Sequence, residues 1–146
     1  MADNAERAAQ EAEVRETVGT FFRLVGEGDA DRVADVFAEE IDWFVPGDEK
    51  VLPWAGQRTR REQVPDYFRT LWPVFVHDES EVSVDKMLVD GPDLVAVGKS
   101  SHTVAANGRR LTTLMAFRFT VEAGRIVRFH LFEDTDLVVR TVTAPN

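Results

Sequence analysis

Apolar residues recur at Val14, Val18, Phe21, Phe22 and Val25, which places them in one stripe along a helix. Gly26 and Gly28 are expected to end that helix. Asp29 is placed to cap a second, short helix burying Val33, Val36 and Phe37, with Asp29 and Asp31 complementing its dipole. The segment 41–45, Ile-Asp-Trp-Phe-Val, reads as a strand stopped by Pro46 and Gly47. Residues 46–58 read as a turn-rich loop carrying one apolar element, Pro53-Trp54-Ala55-Gly56. A third helix follows, with Val64, Tyr67, Phe68, Leu71 and Trp72 as its stripe. Thr59 and Glu62 have capping-box spacing, but Pro65 in a helix interior would cost a hydrogen bond. The helix is therefore expected to start later than Thr59 or to kink.

Beyond Pro73 the period changes to two. Val82, Val84 and Met87 mark one strand, and Leu94 to Val104 a second that enters an Asn107-Gly108 hairpin turn. Leu111 to Val121 is a third, with Leu111, Met115, Phe117 and Phe119 on one face. Ala123-Gly124 turns the chain into a last long strand, Ile126 to Phe132, and residues 135–142 suit a final helical turn. Helices first and an antiparallel meander afterwards predict an α+β fold with helices packed on one curved sheet. The expected organisation is a flexible tail or solvated helix extension over residues 1–10, one domain over 11–142 and a short tail over 143–146.

At 146 residues one domain with a real core is possible. Ten Phe and three Trp supply much of its apolar area. The net charge of −9 argues against nucleic acid and against an anionic membrane as partners, since both need a basic face. The absence of cysteine excludes disulfides, thiolate nucleophiles and zinc–thiolate sites. The polar, acidic opening lacks the apolar stretch of a signal peptide, so a cytoplasmic location is expected. Three dispersed His make no metal signature, and no phosphate-binding loop or dinucleotide fingerprint occurs. His77 follows the third helix in a polar loop and reads as structural.

Three stretches carry a family resemblance. The first is FFRLVGEGDADRVADVFAEEIDWFVPG, residues 21–47; the second is Ala55-Gly56 with Arg60-Arg61-Glu62-Gln63-Val64 and Tyr67-Phe68; the third is FRFTVEAGRIVRFHLFEDTDLVVRTV, residues 117–142. Together they resemble the SnoaL-like and ketosteroid-isomerase-like proteins of the nuclear-transport-factor-2-like superfamily. The resemblance implies a cone-shaped, curved antiparallel sheet with three helices on its concave side, an interior pocket for a small apolar ligand, no cofactor, and a homodimer. It also implies what is missing. The positions of the ketosteroid isomerase triad fall on Phe21, Val45 and either Met115 or Ala116, none of which ionises. The acidic residue that SnoaL-like cyclases carry ten positions after the last hairpin glycine corresponds to Asp134.

Asp134 is therefore the first catalytic candidate, as general acid or base; its other reading is a cap on the terminal turn. His130 shares strand parity with Phe132 and Asp134 and would form a proton-transfer pair with the latter, or else a satisfied hydrogen bond or a dimer contact. His102 faces either pocket or solvent. Arg118 interrupts an apolar strand; with Asp134 it matches part of the Asp–Arg–Asp set of limonene-epoxide-hydrolase-like proteins, or makes a surface ion pair. Phe21, Trp43, Val45, Trp54, Tyr67, Phe68, Trp72, Met115 and Phe129 are the expected pocket walls, with Trp54, in its loop, a candidate lid. The functions in view are a cofactor-independent isomerase, cyclase or dehydratase acting on an apolar carbonyl compound, a non-catalytic binder of hydrophobic ligands, and an epoxide hydrolase.

Overall fold

A computed structural model describes residues 3–146. Helix α1, Asn4–Glu27, begins at Asp3, whose carboxylate accepts from the Glu6 N–H at 2.9 Å. It runs through Gly26 and ends at Gly28, whose left-handed φ of 75° suits glycine. Residues 4–10 are thus an exposed helical extension and not a tail. They are tied to the sheet where Arg7 pairs with Asp90 and where Glu11 accepts from the Gly91 N–H at 2.9 Å. The first two residues of the expected tail lie outside the described residues.

Helix α2, Ala30–Ala34, is a single capped turn. Phe37, expected on its buried face, instead opens strand β1, Phe37–Val45. The partner decides this: Phe37 aligns with Ile126, and the Val36 carbonyl accepts from the Ile126 N–H at 2.9 Å. Strand β2, Gly56–Arg60, occupies the end of the expected loop and the start of the expected third helix. It is drawn into the sheet by antiparallel pairing with β1 (Val45 with Gly56, Trp43 with Arg58). A 3-10 turn over Arg61–Gln63 leads into α3, Val64–Leu71, so the helix does start late. Pro65 sits in its first turn, where no N–H is needed. In place of the Thr59–Glu62 box, the Gln63 side-chain oxygen Oε1 accepts from the Thr59 and Arg60 N–H groups at 2.8 and 2.9 Å.

Strands β3 (Glu81–Asp90), β4 (Asp93–Thr103), β5 (Arg110–Glu122) and β6 (Arg125–Glu133) form the meander, and α4 (Thr135–Val142) closes it. The sheet order is β2-β1-β6-β5-β4-β3, antiparallel except for the parallel pair β1 and β6. The sheet is curved and unclosed, with helices on its concave side. Among the described residues no helix is long and apolar enough to cross a membrane.

One irregularity determines what faces inward. The Ala123-Gly124 turn pairs Glu122 with Arg125 and Val121 with Ile126, but Thr120 pairs with Arg128. Val127 is therefore an extra residue, a β-bulge that exchanges the faces of everything beyond it. Phe129, Leu131 and Glu133 become the inward set, opposite Phe119, Phe117 and Met115, and His130 and Phe132 face outward. The core behind this surface is aromatic. Phe21 holds the rings of Phe22, Phe37, Phe68, Phe119 and Phe129 within 5.2–6.4 Å, and Trp43 stacks on Phe129 at 4.3 Å.

Candidate functional site

Beside this core, between α3, α4 and the inner faces of β4, β5 and β6, lies a cavity of about 50 Å³. That is room for a few waters, so anything larger than a very small molecule must displace side chains to enter. Its walls are mostly apolar: Trp54, Leu71, Phe75, Leu111, Met115, Leu131 and Val138. Five polar side chains interrupt them: Tyr67, Ser100, His102, Thr113 and Glu133.

Glu133 ends β6 at the cavity and has no side-chain hydrogen bond or ionic partner among the described residues. Burial without a compensating charge pushes its carboxyl up to about 7, since desolvation penalises the ionised form. Tyr67 is 5% exposed on α3. Its phenol lies well above the ordinary tyrosine range, first through burial, second through the Glu133 charge, with Arg58 acting weakly in the opposite sense. Tyr67 is thus a neutral O–H at any working pH and lies within electrostatic reach of Glu133.

His102 stacks on Phe75, ring centroids 4.3 Å apart and planes 20° apart. Its Nδ1 is buried with no hydrogen-bond partner among the described residues. Burial, aided by Arg110, lowers its pKa to about 4, so it is a neutral imidazole. The register separates it from Glu133. Glu133 pairs with Met115, Ser100 with Thr113 and His102 with Leu111. Four residues of β5 therefore separate the two ends of the site, about 14 Å along the strand. The acid and the imidazole are opposite ends of one slot, with the Ser100 and Thr113 hydroxyls between them.

The other sequence candidates lie elsewhere. Asp134 is exposed and caps α4, its carboxylate accepting from the Leu137 N–H at 3.0 Å. The N-cap preference of Asp and the change from strand to helix at this residue account for that position. His130 is on the outer face, its Nε2 2.8 Å from Asp42 Oδ1, while Arg128 Nε lies 3.1 Å from Asp42 Oδ2. Asp42 is held below the usual carboxylate range, first by the His130 hydrogen bond and then, against a smaller burial effect, by Arg128. His130 is thus hydrogen-bonded away from the cavity and is no partner of Asp134. Arg118 is exposed on the same outer face, aligned with His130, and makes no ion pair among the described residues. Among the described residues the Asp–Arg–Asp arrangement of an epoxide hydrolase is not assembled.

Of the nine expected wall residues, Trp54, Tyr67 and Met115 line the cavity. Phe21, Trp43, Val45, Phe68 and Phe129 are buried in the core, and Trp72 packs on Phe68 at 5.0 Å. Trp54 is a buried wall, 5% exposed. The sequence reading missed Glu133, Ser100 and Thr113. The signal for Glu133 was its parity with Phe129 and Leu131; the signal for Ser100 and Thr113 was their parity with His102 and with Leu111, Met115 and Phe117. Among the described residues no group of three or more His, Asp or Glu side chains is arranged to hold a metal ion.

A model of the SnoaL-like domain family matches residues 18–129. Among curated proteins no sequence matches significantly. Solved structures match over nearly the whole chain. An NTF2-like protein of unknown function from Burkholderia pseudomallei is 23% identical, with 90% of this chain and 98% of that one covered and a TM-score of 0.81. A protein assigned as a SnoaL-like polyketide cyclase from Jannaschia is 19% identical, with 94% and 96% covered and a TM-score of 0.76. TerC, co-crystallised with polyporic acid, is 12% identical, with 90% and 99% covered and a TM-score of 0.79. At these identities the likeness is one of fold.

Proposed function

We propose, from the premise that this chain belongs to the SnoaL-like domain family, that it is a cofactor-independent enzyme moving a proton on a small, uncharged, mostly apolar carbonyl compound. The observation that carries this reading is Glu133, a carboxyl with no partner, poised near neutrality at an apolar cavity. A base with that pKa is half ionised at neutral pH and can both take and return a proton. Glu133 removes the proton from the carbon next to the ligand carbonyl. The enolate oxygen that develops accepts a hydrogen bond from the neutral Tyr67 O–H, which shares the cavity with Glu133 and feels its charge. Return of the proton to another carbon gives isomerisation, and return to a departing hydroxyl gives dehydration. His102 at the far end, with Ser100 between, holds a second polar group of the ligand. The cavity lining contains no cationic side chain, so a carboxylate or phosphate ester would meet Glu133 uncompensated. Polyporic acid on TerC supports a small-molecule ligand for this fold.

A homodimer formed through the outer sheet face belongs to the same reading. Exposed Phe44, Phe132 and Leu114 on that face support it. Mutation of Leu114 and Phe132 to Ser should leave a monomer in sedimentation if this face is the interface, and a dimer if it is not.

The test of catalysis is deuterium exchange of the α-protons of cyclic ketones in heavy water, followed by proton NMR. Wild type should accelerate exchange, and Glu133→Gln should lose about 100- to 10,000-fold of that rate. Ketone binding without acceleration in wild type would make the protein a non-catalytic binding module.

A further inference from the structure

Arg58 is a charged side chain where none is expected: 8% exposed, on the inner face of β2 beside Trp43. Its Nη1 donates to the Trp54 carbonyl at 3.0 Å. Its Nη2 lies 3.6 Å from Asp66, an exposed carboxylate too distant for a full ion pair's strength. Its Cζ stands 5.4 Å from the centroid of the Tyr67 ring. The ring is gripped on another side by Trp43, edge-on at 4.9 Å. Arg58 itself does not line the cavity, but two of its three contacts, Trp54 and Tyr67, do. A buried guanidinium with one clear hydrogen bond is an expensive feature if its task is stability alone. Met would fill the same volume without that cost.

We propose that Arg58 is a positioning residue for the cavity: it clamps the Trp54 loop to α3 and, lying against the Tyr67 ring, strengthens the Tyr67 hydroxyl as a hydrogen-bond donor to the ligand. A cation against an aromatic face draws electron density from the ring, and withdrawal from a phenol makes its O–H a better donor. Arg58 thus prepares the donor that the enolate oxygen meets. The catalytic part of this rests on the acid–base reading of the cavity; the coupling of Arg58 to Tyr67 does not.

Tyr67 is the only tyrosine in the chain, so a tyrosine probe reads this site alone. Replacement by difluorotyrosine, fluorinated on both sides of the hydroxyl, makes the phenol more acidic and brings its titration within reach of fluorine NMR. Arg58→Met should move the midpoint up, Arg58→Lys should restore part of the difference, and Asp66→Asn, which frees the guanidinium of its exposed counter-charge, should move it down. In ketone exchange Arg58→Met should lose about 10-fold in kcat with KM little changed. Coincident midpoints in parent, Arg58→Met and Asp66→Asn overturn the proposal, and so do midpoints shifted in the opposite sense. If Arg58→Met does not fold, Arg58→Lys decides: its midpoint should lie above the parent's, and a midpoint coincident with the parent's or below it overturns the proposal. Shifted midpoints together with exchange that ignores Glu133→Gln would sink the acid–base reading and leave the Arg58–Tyr67 coupling standing.

Discussion

Glu133 and Asp134 are consecutive carboxylates with opposite surroundings. The Glu133 side chain ends a strand at the cavity without a partner, and the Asp134 side chain turns outward to hold the Leu137 N–H at 3.0 Å. Asp134 therefore belongs to the stability of α4. Asp134→Ala should cost about 1 kcal/mol in urea unfolding and leave ketone exchange within twofold of wild type. A large loss of exchange with intact stability would return the catalytic role to Asp134.

The two perturbed groups of the cavity oppose each other in their pH dependence. Glu133 is raised from 4.5 to about 7, so the native state binds more protons than the unfolded chain in that window, and its contribution falls as pH rises through it. His102 is lowered from 6.5 to about 4, so the unfolded chain binds more protons between those values, and its contribution rises with pH. Wild-type stability should accordingly vary little between about pH 4.5 and 6.5 from these two groups. Glu133→Gln should leave a curve that rises over that range, and His102→Gln one that falls from about pH 4.5 to 7, each by up to about 3 kcal/mol. Urea unfolding at four pH values checks this, and parallel curves for all three proteins would mean that neither group is shifted.

On the outer face Asp42 behaves in the ordinary carboxylate sense. Its folded pKa is depressed from 3.8, so its stabilising effect is present above that value and is lost as pH falls through the lowered one. The group is nearly half exposed, and solvent screening keeps the effect small. Asp42→Asn should cost no more than about 1 kcal/mol at pH 7 and nothing in acid, with ketone exchange unchanged.

The bulge at Val127 gives a prediction about register. Val127 is the surplus residue, so deleting it leaves Val121 on Ile126, Thr120 on Arg128 and Phe119 on Phe129 in one unbroken register, with Phe129, Leu131 and Glu133 still inward. The deletion variant should fold, with native-like tertiary signals in near-UV circular dichroism. Loss of those signals would show that the fold needs the bulge itself and not only the inward set.

That bulge also explains which parts of the site were legible. The helical stripes of α1 and α3, the Asn107-Gly108 and Ala123-Gly124 turns and the alternation of β5 could all be read directly, because each is a local pattern. The face of β6 could not be. Phe129-Leu131-Glu133 and His130-Phe132-Asp134 each mix apolar and acidic residues, and regular pairing from the turn would have selected the second set. Only pairing between strands shows that Val127 is left over. Strand β2 was obscure for a similar reason: Gly56-Gln-Arg-Thr-Arg60 has no strand-like alternation of its own and is recruited by the edge of β1. Arg58 reads as a surface charge until Trp54 and Tyr67 are brought against it.

The sheet order carries a consequence for how the chain folds. Strand β6 lies between β1 and β5, so the pairing of β1 with β6 alone joins the β1–β2 hairpin to the meander of β3 to β6 within the sheet. Phe37 meets Ile126, and Trp43 meets Phe129, across most of the length of the chain. The β1–β2 pair and the meander of β3 to β6 are each built from neighbouring contacts, and each presents an unpaired edge, β1 on one and β6 on the other, until the two meet. Pairing of β1 with β6 closes both edges and brings Trp43 onto Phe129. A chain in which both halves are formed and that pairing is still open is therefore the one most exposed to aggregation.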